Sequence, residues 1–537
     1  MTREDSVTDR AALRRAVYLL LIVVAVATMV SRIMTVRSTS GRTPFLSAND
    51  RSRWSTVRAL VDHGTFELDD VIFPNGKRDR DWYSIDLVRH RGRDGREHYY
   101  SSKPPLLTTL LAAEYWCIRS LTGATLDRQP MYVGRIMLVI SNVIPMAVLL
   151  VLLARLIEQH GRSDWGRIVV MVAACFGTML TTIAVTITNH LPGAFGCALA
   201  ATALFPILQA PRTCPASRWW FLLAGLGAGF LVANELPALS LAVFALGIIA
   251  PHARLTHLAC YAAPIAALLG LLLVLNYLAH ESWRPAYAHR GDGPIRAQLT
   301  LPGNELREGL VSNQLRQALL EKQLPVSADA TMKTSTDSRW MLWDESSQTR
   351  LSLRADNDNV VVHEWDDWYR YEGSYWVPEN LQGVDRGEPN VGTYLFQVVI
   401  GHHGILSLTP IWFFAIAGAW LWHRRNQGSE KWIARLTVVT TLVCLGFYTF
   451  GRPTIDRNYG GVSCGFRWMY WFIPLWLLLM LPAMDAIAMN PEGPVNSDCD
   501  QLNADSRRRT MWKWARGITL CLLAWSIFSA SYPTANP

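Results

Sequence analysis

The most regular feature of the chain is a series of apolar runs separated by short polar turns. A helix that crosses a membrane needs about twenty largely apolar residues. The runs therefore predict an all-α polytopic membrane protein with about eleven crossings. The predicted spans lie at 16–34, 131–154, 168–187, 192–209, 219–234, 236–252, 257–278, 405–422, 433–450, 468–488 and 513–531.

Two long polar segments interrupt this series. The first, 35–130, follows the first apolar run, and the second, 279–404, separates the seventh run from the eighth. We expect three parts from this division. These are an N-terminal transmembrane module over 1–278 that includes the first segment, the polar segment 279–404, and C-terminal helices over 405–537.

A further apolar stretch, 105–122, decides which side of the membrane each loop faces. Lys and Arg concentrate in the cytoplasmic connections of membrane proteins. If 105–122 lies along the membrane surface, the Arg-rich N-terminus and the basic connections are cytoplasmic. The short outer turns then hold only Arg452, Arg457 and Arg467. We therefore expect a surface helix there, with both long segments and the C-terminus on the outer face of the inner (plasma) membrane.

Composition agrees with a membrane protein and excludes other classes. The 537 residues are 50% hydrophobic, include 22 tryptophans and have a mean hydropathy of +0.13. The net charge of +8 comes with no basic tract or nucleic-acid motif, so no nucleic-acid partner is expected. The nine cysteines are scattered without metal-site spacing, which indicates packing residues.

The first outer segment begins with a pattern typical of an amphipathic surface helix. In "NDRSRWSTVRALVDHG", Trp54, Val57 and Val61 recur at helical spacing, and Gly64 stands where a helix would end. Asp50 lies at the first turn, next to the membrane. Asn49 or Asp50 is the expected N-cap of this helix, and for a lone Asp at this place a helix cap is a simpler explanation than a catalytic role.

Three stretches resemble the GT-C superfamily of membrane glycosyltransferases. They are "NDRSRWSTVRALVDHGTF", "YYSSKPPLLTTLLA" and "YGGVSCGFRWMYWFIPLWL". The sequence is similar to the protein O-mannosyltransferases and to the aminoarabinose transferase that modifies lipid A. The resemblance implies a GT-C fold and transfer of a sugar from a polyprenyl-phosphate donor. It also implies that Asp50 is the catalytic aspartate and that Arg53, Tyr100 and Lys103 belong to the two first-loop motifs.

The sequence departs from the family pattern at two positions. Arg51 replaces the second acid of an Asp-Glu pair, and Ser102 replaces an acidic residue that often precedes Lys-Pro-Pro. The second change removes a candidate metal ligand. The sequence therefore assigns no cofactor and leaves a divalent metal ion open.

The chemistry of a lipid-phosphate donor agrees with the residues on the outer face. Because phosphate is a good leaving group, transfer needs one base for the acceptor and cations for the departing phosphate. Asp50 is the candidate base for an inverting single displacement. The candidate phosphate ligands are Lys103, Arg53, Tyr100, Arg457 and Arg467.

Other polar residues of the outer turns are candidates for the acceptor side of the cavity. These residues are His190, Glu235, His402, His403 and Tyr459. Helix caps and ordinary turn chemistry explain each of them equally well. His402 and His403 are adjacent, and adjacent residues of a helix point in different directions, so a joint site is not expected.

Two other functions remain open at this stage. A flippase or transporter for lipid-linked sugars would need ionisable residues at the bilayer midplane, where the spans hold few. A catalytically inactive membrane scaffold would look similar in sequence. The acceptor, whether a protein hydroxyl, a lipid or a glycan, is not specified by any residue.

Overall fold

The computed structural model describes residues 3–302, 305–336, 339–347, 349–356, 359–425, 428–488 and 499–533. Most of them are helical. The α-helices are α1 (Arg3–Thr35), α2 (Ala48–Arg58), α3 (Asp69–Ile72), α4 (Pro105–Thr122), α5 (Pro130–Leu138), α6 (Ile144–His160), α7 (Asp164–Phe176), α8 (Met179–Ile183), α9 (His190–Gln209), α10 (Arg218–Asn234), α11 (Leu239–Ile249), α12 (Leu255–His280), α13 (Asn313–Glu321), α14 (Val391–Val399), α15 (Ile405–Leu408), α16 (Trp412–His423), α17 (Ser429–Phe450), α18 (Ile473–Ala488) and α19 (Cys499–Ser531).

Seven helical stretches of the described residues are long and apolar enough to cross a membrane. They are Asp9–Thr35, Pro130–His160, Asp164–Ile183, His190–Gln209, Leu255–His280, Ser429–Phe450 and Arg467–Ala488. The predicted runs 219–234 and 236–252 also form apolar helices, but each is shorter. A multi-pass membrane protein follows from these helices, and the count of about eleven crossings stays a prediction.

The stretch 105–122 forms α4, which is not among those seven. It starts directly after Pro104 and ends at Gly123 in the left-handed conformation. α4 packs on α2 of the first outer segment as well as on the long apolar helix α12. Tyr115 donates a hydrogen bond of 3.0 Å to Asp62, and Arg119 lies 2.8 Å from the same carboxylate. These contacts agree with a helix that lies along the surface.

Residues predicted to be cytoplasmic meet at one end of the helices. Arg14 of α1 contacts Glu158 at 2.5 Å and Asp164 at 2.7 Å. Asp485 of α18 accepts hydrogen bonds from the backbone and hydroxyl of Ser163, both at 2.8 Å. Ion pairs and hydrogen bonds thereby join the ends of α1, α6, α7 and α18.

The prediction of an all-α protein is wrong for the segment 279–404. This segment contains a six-stranded antiparallel sheet in the order β3-β8-β7-β6-β5-β4. Its strands are β3 (Arg290–Thr300), β4 (Gly309–Leu310), β5 (Thr331–Thr336), β6 (Arg339–Asp344), β7 (Thr349–Asp356) and β8 (Asn359–Asp367). A two-stranded hairpin of β1 (Leu87–Arg91) and β2 (Glu97–Ser101) lies in the first outer segment.

Alternation of apolar and polar residues explains this sheet. In "TRLSLRAD", Leu351 and Leu353 are buried, and the intervening side chains point to the opposite face. The buried leucines pack with Leu342 of β6 and with Leu315 and Leu319 of α13 in a core of their own. The sheet therefore has one apolar face covered by a helix and one polar face.

The polar segment contacts the first outer segment directly. Arg350 of β7 pairs with Glu97 of β2 at 2.9 Å, and the backbone N–H of Arg89 donates to the carbonyl of Trp368 at 2.9 Å. The ring of His90 lies 4.0 Å, centroid to centroid, from that of Trp368. The sheet is thus docked on the hairpin that precedes Lys-Pro-Pro.

Candidate functional site

Asp50 joins the first outer loop to the turn that precedes α9. Ser47 caps α2, its side chain accepting a hydrogen bond of 3.1 Å from the backbone N–H of Asp50, so the expectation that Asp50 is the N-cap is wrong. The carboxylate of Asp50 instead accepts from the backbone N–H groups of Leu46 at 3.0 Å and Ile187 at 2.9 Å. Asp50 is completely buried, and burial raises its pKa to about 6.

Arg53 follows Asp50 by one turn of α2 and faces the same polar interior. Its guanidinium donates to the side-chain oxygen of Asn189 at 3.0 Å and to that of Asn49. Burial lowers the pKa of Arg53 to about 10. Its Nε is buried and has no hydrogen-bond partner among the described residues. A buried donor left in this way is available to a ligand.

The β1–β2 hairpin brings Asp86 and Lys103 together. Leu87 pairs with Ser101 in the hairpin, which places Asp86 beside the start of the Lys-Pro-Pro turn. The Lys103 ammonium lies 3.0 Å from the Asp86 carboxylate. Ser52 of α2 donates to the Asp86 carbonyl at 2.8 Å and contacts the Ser101 hydroxyl at 2.7 Å. These bonds fix the lysine beside the helix that carries Arg53.

Two residues predicted separately for the cavity form one pair. Nδ1 of His190 lies 2.5 Å from the Glu235 carboxylate, and both side chains are buried. Asn189 donates to the same carboxylate at 2.7 Å while its oxygen accepts from Arg53. A continuous polar chain therefore runs from α2 through the start of α9 to the end of α10.

Arg467 belongs to the same interior. It begins the short helical turn before α18, and its aliphatic stem packs against Gly460. Burial lowers the pKa of Lys103, and the charges of Arg53 and Arg467 lower it further. The charge of Asp86 raises the pKa of Lys103 and of Arg53. The Nε of Arg467 is also buried, and no described residue accepts a hydrogen bond from it.

Three cations from distant parts of the chain thus lie near one carboxylate, which pairs directly with Lys103. Buried like charges repel each other, and a single carboxylate neutralises only part of their charge. Guanidinium and ammonium groups are the side chains that bind phosphate oxygens most strongly. The arrangement can hold an anion with phosphate-like oxygens between α2, the hairpin and the turn before α18.

Two predicted phosphate ligands lie away from these cations. Tyr100 donates to Glu67 at 3.3 Å, and its ring stacks on that of His90 at 4.1 Å. Arg457 donates to the carbonyl of Pro389 at 3.1 Å and to the hydroxyl of Thr454. Tyr100 thus contacts other residues of the first outer segment, whereas Arg457 contacts the polar segment and its own turn. A role in phosphate binding stays a prediction for both.

The expectation that His402 and His403 point in different directions is wrong. Both follow the end of α14 in a turn rather than a helix, and their Nδ1 atoms are in contact. The ring of His403 stacks on Tyr459 with centroids 5.1 Å apart, and His402 packs on the same ring. Burial lowers the pKa of His403 to about 4. These residues form a second cluster beside the Gly-Gly turn.

Sequence reasoning missed three polar residues of the cavity: Asp86, Asn189 and Asp385. Asp86 had a usable signal, because Asp94-Gly95 between alternating segments is typical of a hairpin turn. That hairpin places Asp86 opposite Ser102, whose backbone N–H donates to the Asp86 carbonyl at 3.2 Å. Asn189 and Asp385 are single polar residues in turns and carry no such signal.

The described residues contain no group of three or more His, Cys, Asp or Glu side chains that could hold a metal ion. The carboxylates of this region already contact Lys, His, Tyr or backbone N–H groups. The chemistry of the site is therefore derived below from the protein's own side chains.

Comparison with known proteins gives similarity to solved structures only. Neither a protein-family model nor a curated protein matches the sequence. The chain is similar to the protein O-mannosyltransferase complex of S. cerevisiae bound to its sugar donor, with 11% identity, a TM-score of 0.44, and coverage of 98% of this chain and 91% of that one.

The chain is also similar to the oligosaccharyltransferase AglB of Archaeoglobus fulgidus. A complex with an inhibitory peptide and a dolichol-phosphate matches with 10% identity and a TM-score of 0.44. A complex of the same enzyme with zinc and sulfate matches with 12% identity and a TM-score of 0.45. These matches cover 97% and 96% of this chain, which spans 56% and 53% of those chains.

Proposed function

We propose that this protein is an integral membrane glycosyltransferase that uses a polyprenyl-phosphate sugar as its donor. The observation that carries the proposal is the cluster of Arg53, Lys103 and Arg467 around Asp86. Two of these cations have a buried Nε without a hydrogen-bond partner among the described residues. A phosphate supplies both the missing acceptors and the missing negative charge.

The proposed location of the cluster suits a donor with a lipid tail. The cations are carried by segments predicted to lie on the outer face, directly after α1, before α4 and before α18. A phosphate held there leaves its polyprenyl chain free to enter the bilayer between the helices. A nucleotide sugar fits less well, because nucleotide sugars are made on the cytoplasmic side and the sequence has no Gly-rich phosphate loop.

The proposed reaction is a single displacement with inversion at the anomeric carbon. The acceptor oxygen forms a bond to that carbon while the bond to the phosphate oxygen breaks and its electron pair leaves with the phosphate. The cations stabilise the departing charge, and a carboxylate takes the acceptor proton. Asp50 is the base that the sequence suggests, and a pKa of about 6 suits proton uptake near neutral pH. Because both of its oxygens bind backbone N–H groups, this role needs a direct test.

A flippase for lipid-linked sugars is the alternative function. It would use the same phosphate site but would carry the intact lipid across the membrane. The ionisable residues of this protein gather at the two ends of the helices, with the site at one end. An enzyme that acts at one membrane face agrees better with this distribution.

Two measurements on the purified full-length protein test the proposal. The first is binding of undecaprenyl monophosphate, which we expect to be weakened about tenfold or more in Lys103→Met, because a charge-assisted contact is lost. The second is transfer of label from a panel of undecaprenyl-phosphate sugars to membranes that supply the acceptors. Movement of intact donor across vesicles without any transfer would favour the flippase. Absence of undecaprenyl monophosphate binding would remove the donor class altogether.

A further inference from the structure

A carboxylate that the proposed reaction does not use lies beside the cation cluster. Asp385 belongs to the short helical turn Gly383–Arg386 near the end of the polar segment, and it is buried. The hydroxyl of Tyr375 donates to its Oδ2 at 2.8 Å, and the side-chain amide of Asn458 donates to its Oδ1 at 3.3 Å. Two neutral groups therefore hold this carboxylate in a fixed orientation.

The backbone of Gly461 lies beside both Asp385 and Arg467. Gly461 lies between them with φ of +84°, a conformation that favours glycine. A Cβ atom at this position would lie 3.8 Å from Oδ1 of Asp385 and 3.9 Å from Nη2 of Arg467. We refer to this space, bounded by Asp385, Gly461 and Arg467, as the Gly461 gap.

The Gly461 gap is not closed by an ion pair. No cation of the described residues lies within 4.0 Å of the Asp385 carboxylate, although Arg467 stands across the gap. Burial raises the pKa of Asp385, and the charge of Asp86 raises it further. Other carboxylates of the same region are partnered: Asp456 lies 3.3 Å from Arg452 and 3.6 Å from Arg290. Asp385 thus keeps hydrogen-bonding capacity that a ligand can use.

The surroundings select the chemistry of that ligand. A carboxylate accepts hydrogen bonds, so the ligand must donate one. An ammonium group would be repelled by Arg467 and by the neighbouring cations, whereas a neutral hydroxyl would not. A hydroxyl between Asp385 and Arg467 would also lie next to the position where the cations hold the donor phosphate.

We propose that Asp385 accepts a hydrogen bond from a hydroxyl of the acceptor that neighbours the nucleophilic one, across the Gly461 gap from the arginine that holds the donor phosphate. The inference rests on the proposed function and adds the acceptor side of the site. It assigns the polar segment a direct part in the reaction, because that segment carries Asp385 and the Tyr375 that orients it.

The test compares three variants of the full-length protein in lipid nanodiscs. Asp385→Asn removes the charge at constant size, and Tyr375→Phe removes only the hydroxyl that orients the carboxylate. Asp456→Asn is the matched control, since it neutralises a nearby carboxylate outside the Gly461 gap. Acceptor-containing membranes are titrated at saturating labelled donor to give the apparent KM for acceptor and kcat, and undecaprenyl monophosphate binding is measured separately.

We expect Asp385→Asn to raise the apparent KM for acceptor about tenfold or more, as loss of a hydrogen bond to a charged group predicts. Tyr375→Phe should shift it in the same direction by less, and Asp456→Asn should not shift it. The Kd for undecaprenyl monophosphate should not rise in any of the three variants, because loss of a nearby negative charge does not weaken the binding of an anion.

Several results would overturn the inference. An unchanged KM in Asp385→Asn would do so, and so would a loss of undecaprenyl monophosphate binding equal to the loss of acceptor affinity. If Asp385→Asn does not fold, Tyr375→Phe is judged by the same two criteria. A wild-type protein that fails to bind undecaprenyl monophosphate refutes the proposed function instead, and this is seen before any variant is made.

Discussion

The Asp86 carboxylate is expected to affect both the stability of the protein and its affinity for phosphate, and replacing Asp86 by asparagine separates these two effects. Asp86 lies 3.0 Å from the Lys103 ammonium and neutralises part of the charge of Arg53 and Arg467. Without it, the buried Arg53 and the partly buried Lys103 and Arg467 repel one another in the site. A bound phosphate would relieve that repulsion. We therefore expect Asp86→Asn to lower stability and to tighten phosphate binding.

The expected magnitudes follow from the geometry. Loss of one partner from a buried ion pair costs about 3–5 kcal/mol, and the partial exposure of Lys103 reduces this to about 2 kcal/mol. A phosphate bound to Lys103 would lie roughly 6 Å from the Asp86 carboxylate, and at an effective dielectric constant of about 20 their repulsion costs about 3 kcal/mol. Removing the Asp86 charge therefore makes phosphate binding more favourable by about this amount. Even half of this gain is about a tenfold increase in affinity.

The assay is undecaprenyl monophosphate binding in nanodiscs, together with thermal unfolding with and without this lipid. Asp86→Asn should unfold at a lower temperature when empty and should gain more stability than the wild type when lipid is added. Lys103→Met is the companion variant, and its affinity should fall about tenfold or more. If both variants weaken binding equally, Asp86 supports the fold of the site only, and the cations do not form the phosphate site as described.

Three further predictions address other parts of the structure. Asp50→Asn should lower the unfolding temperature, because its amide places an N–H donor against a backbone N–H donor at a cost of about 1–3 kcal/mol. A folded Asp50→Asn variant that binds undecaprenyl monophosphate but transfers no sugar would identify Asp50 as the base. The topology is tested by thiol labelling of intact cells, in variants whose other cysteines are replaced. Asp94→Cys should react with a membrane-impermeant reagent, whereas Cys214, which is exposed in a predicted cytoplasmic loop, should not. The reverse pattern would invert the topology. Gly461→Ala should reduce transfer, since its Cβ narrows the gap beside Arg467 and its positive φ costs about 1 kcal/mol; wild-type rates would show that the gap holds no substrate atom.

The apolar helices could be predicted from the sequence, because hydropathy is a local signal. Arg53, Lys103 and Arg467 lie near one another in the structure, and the side of the membrane that they face stays a prediction. The sheet in the polar segment also had a signal in its alternating strands. That signal is weak beside the apolar helical runs that dominate the rest of the chain.

The detailed partners within the site could not be predicted in the same way. Asp50 contacts Ile187, and Arg53 contacts Asn189, across more than a hundred residues of chain. Such contacts depend on how the helix ends pack, which no spacing within one segment encodes. Asp385 is placed beside Arg467 only by the packing of the polar segment on the Gly-Gly turn.

The wide separation of the cavity residues along the chain has a consequence for synthesis. Arg53 and its partner Asn189 are 136 residues apart, and Arg467 is synthesised after both. Until α18 is inserted, Asp50, Arg53 and Asp86 belong to an unfinished site whose charges face water or lipid headgroups. A chain that stops before α18 would therefore keep charged groups without their partners, which makes it a substrate for membrane quality control. Insertion of α18 is therefore the step that brings the separated charges of the site together.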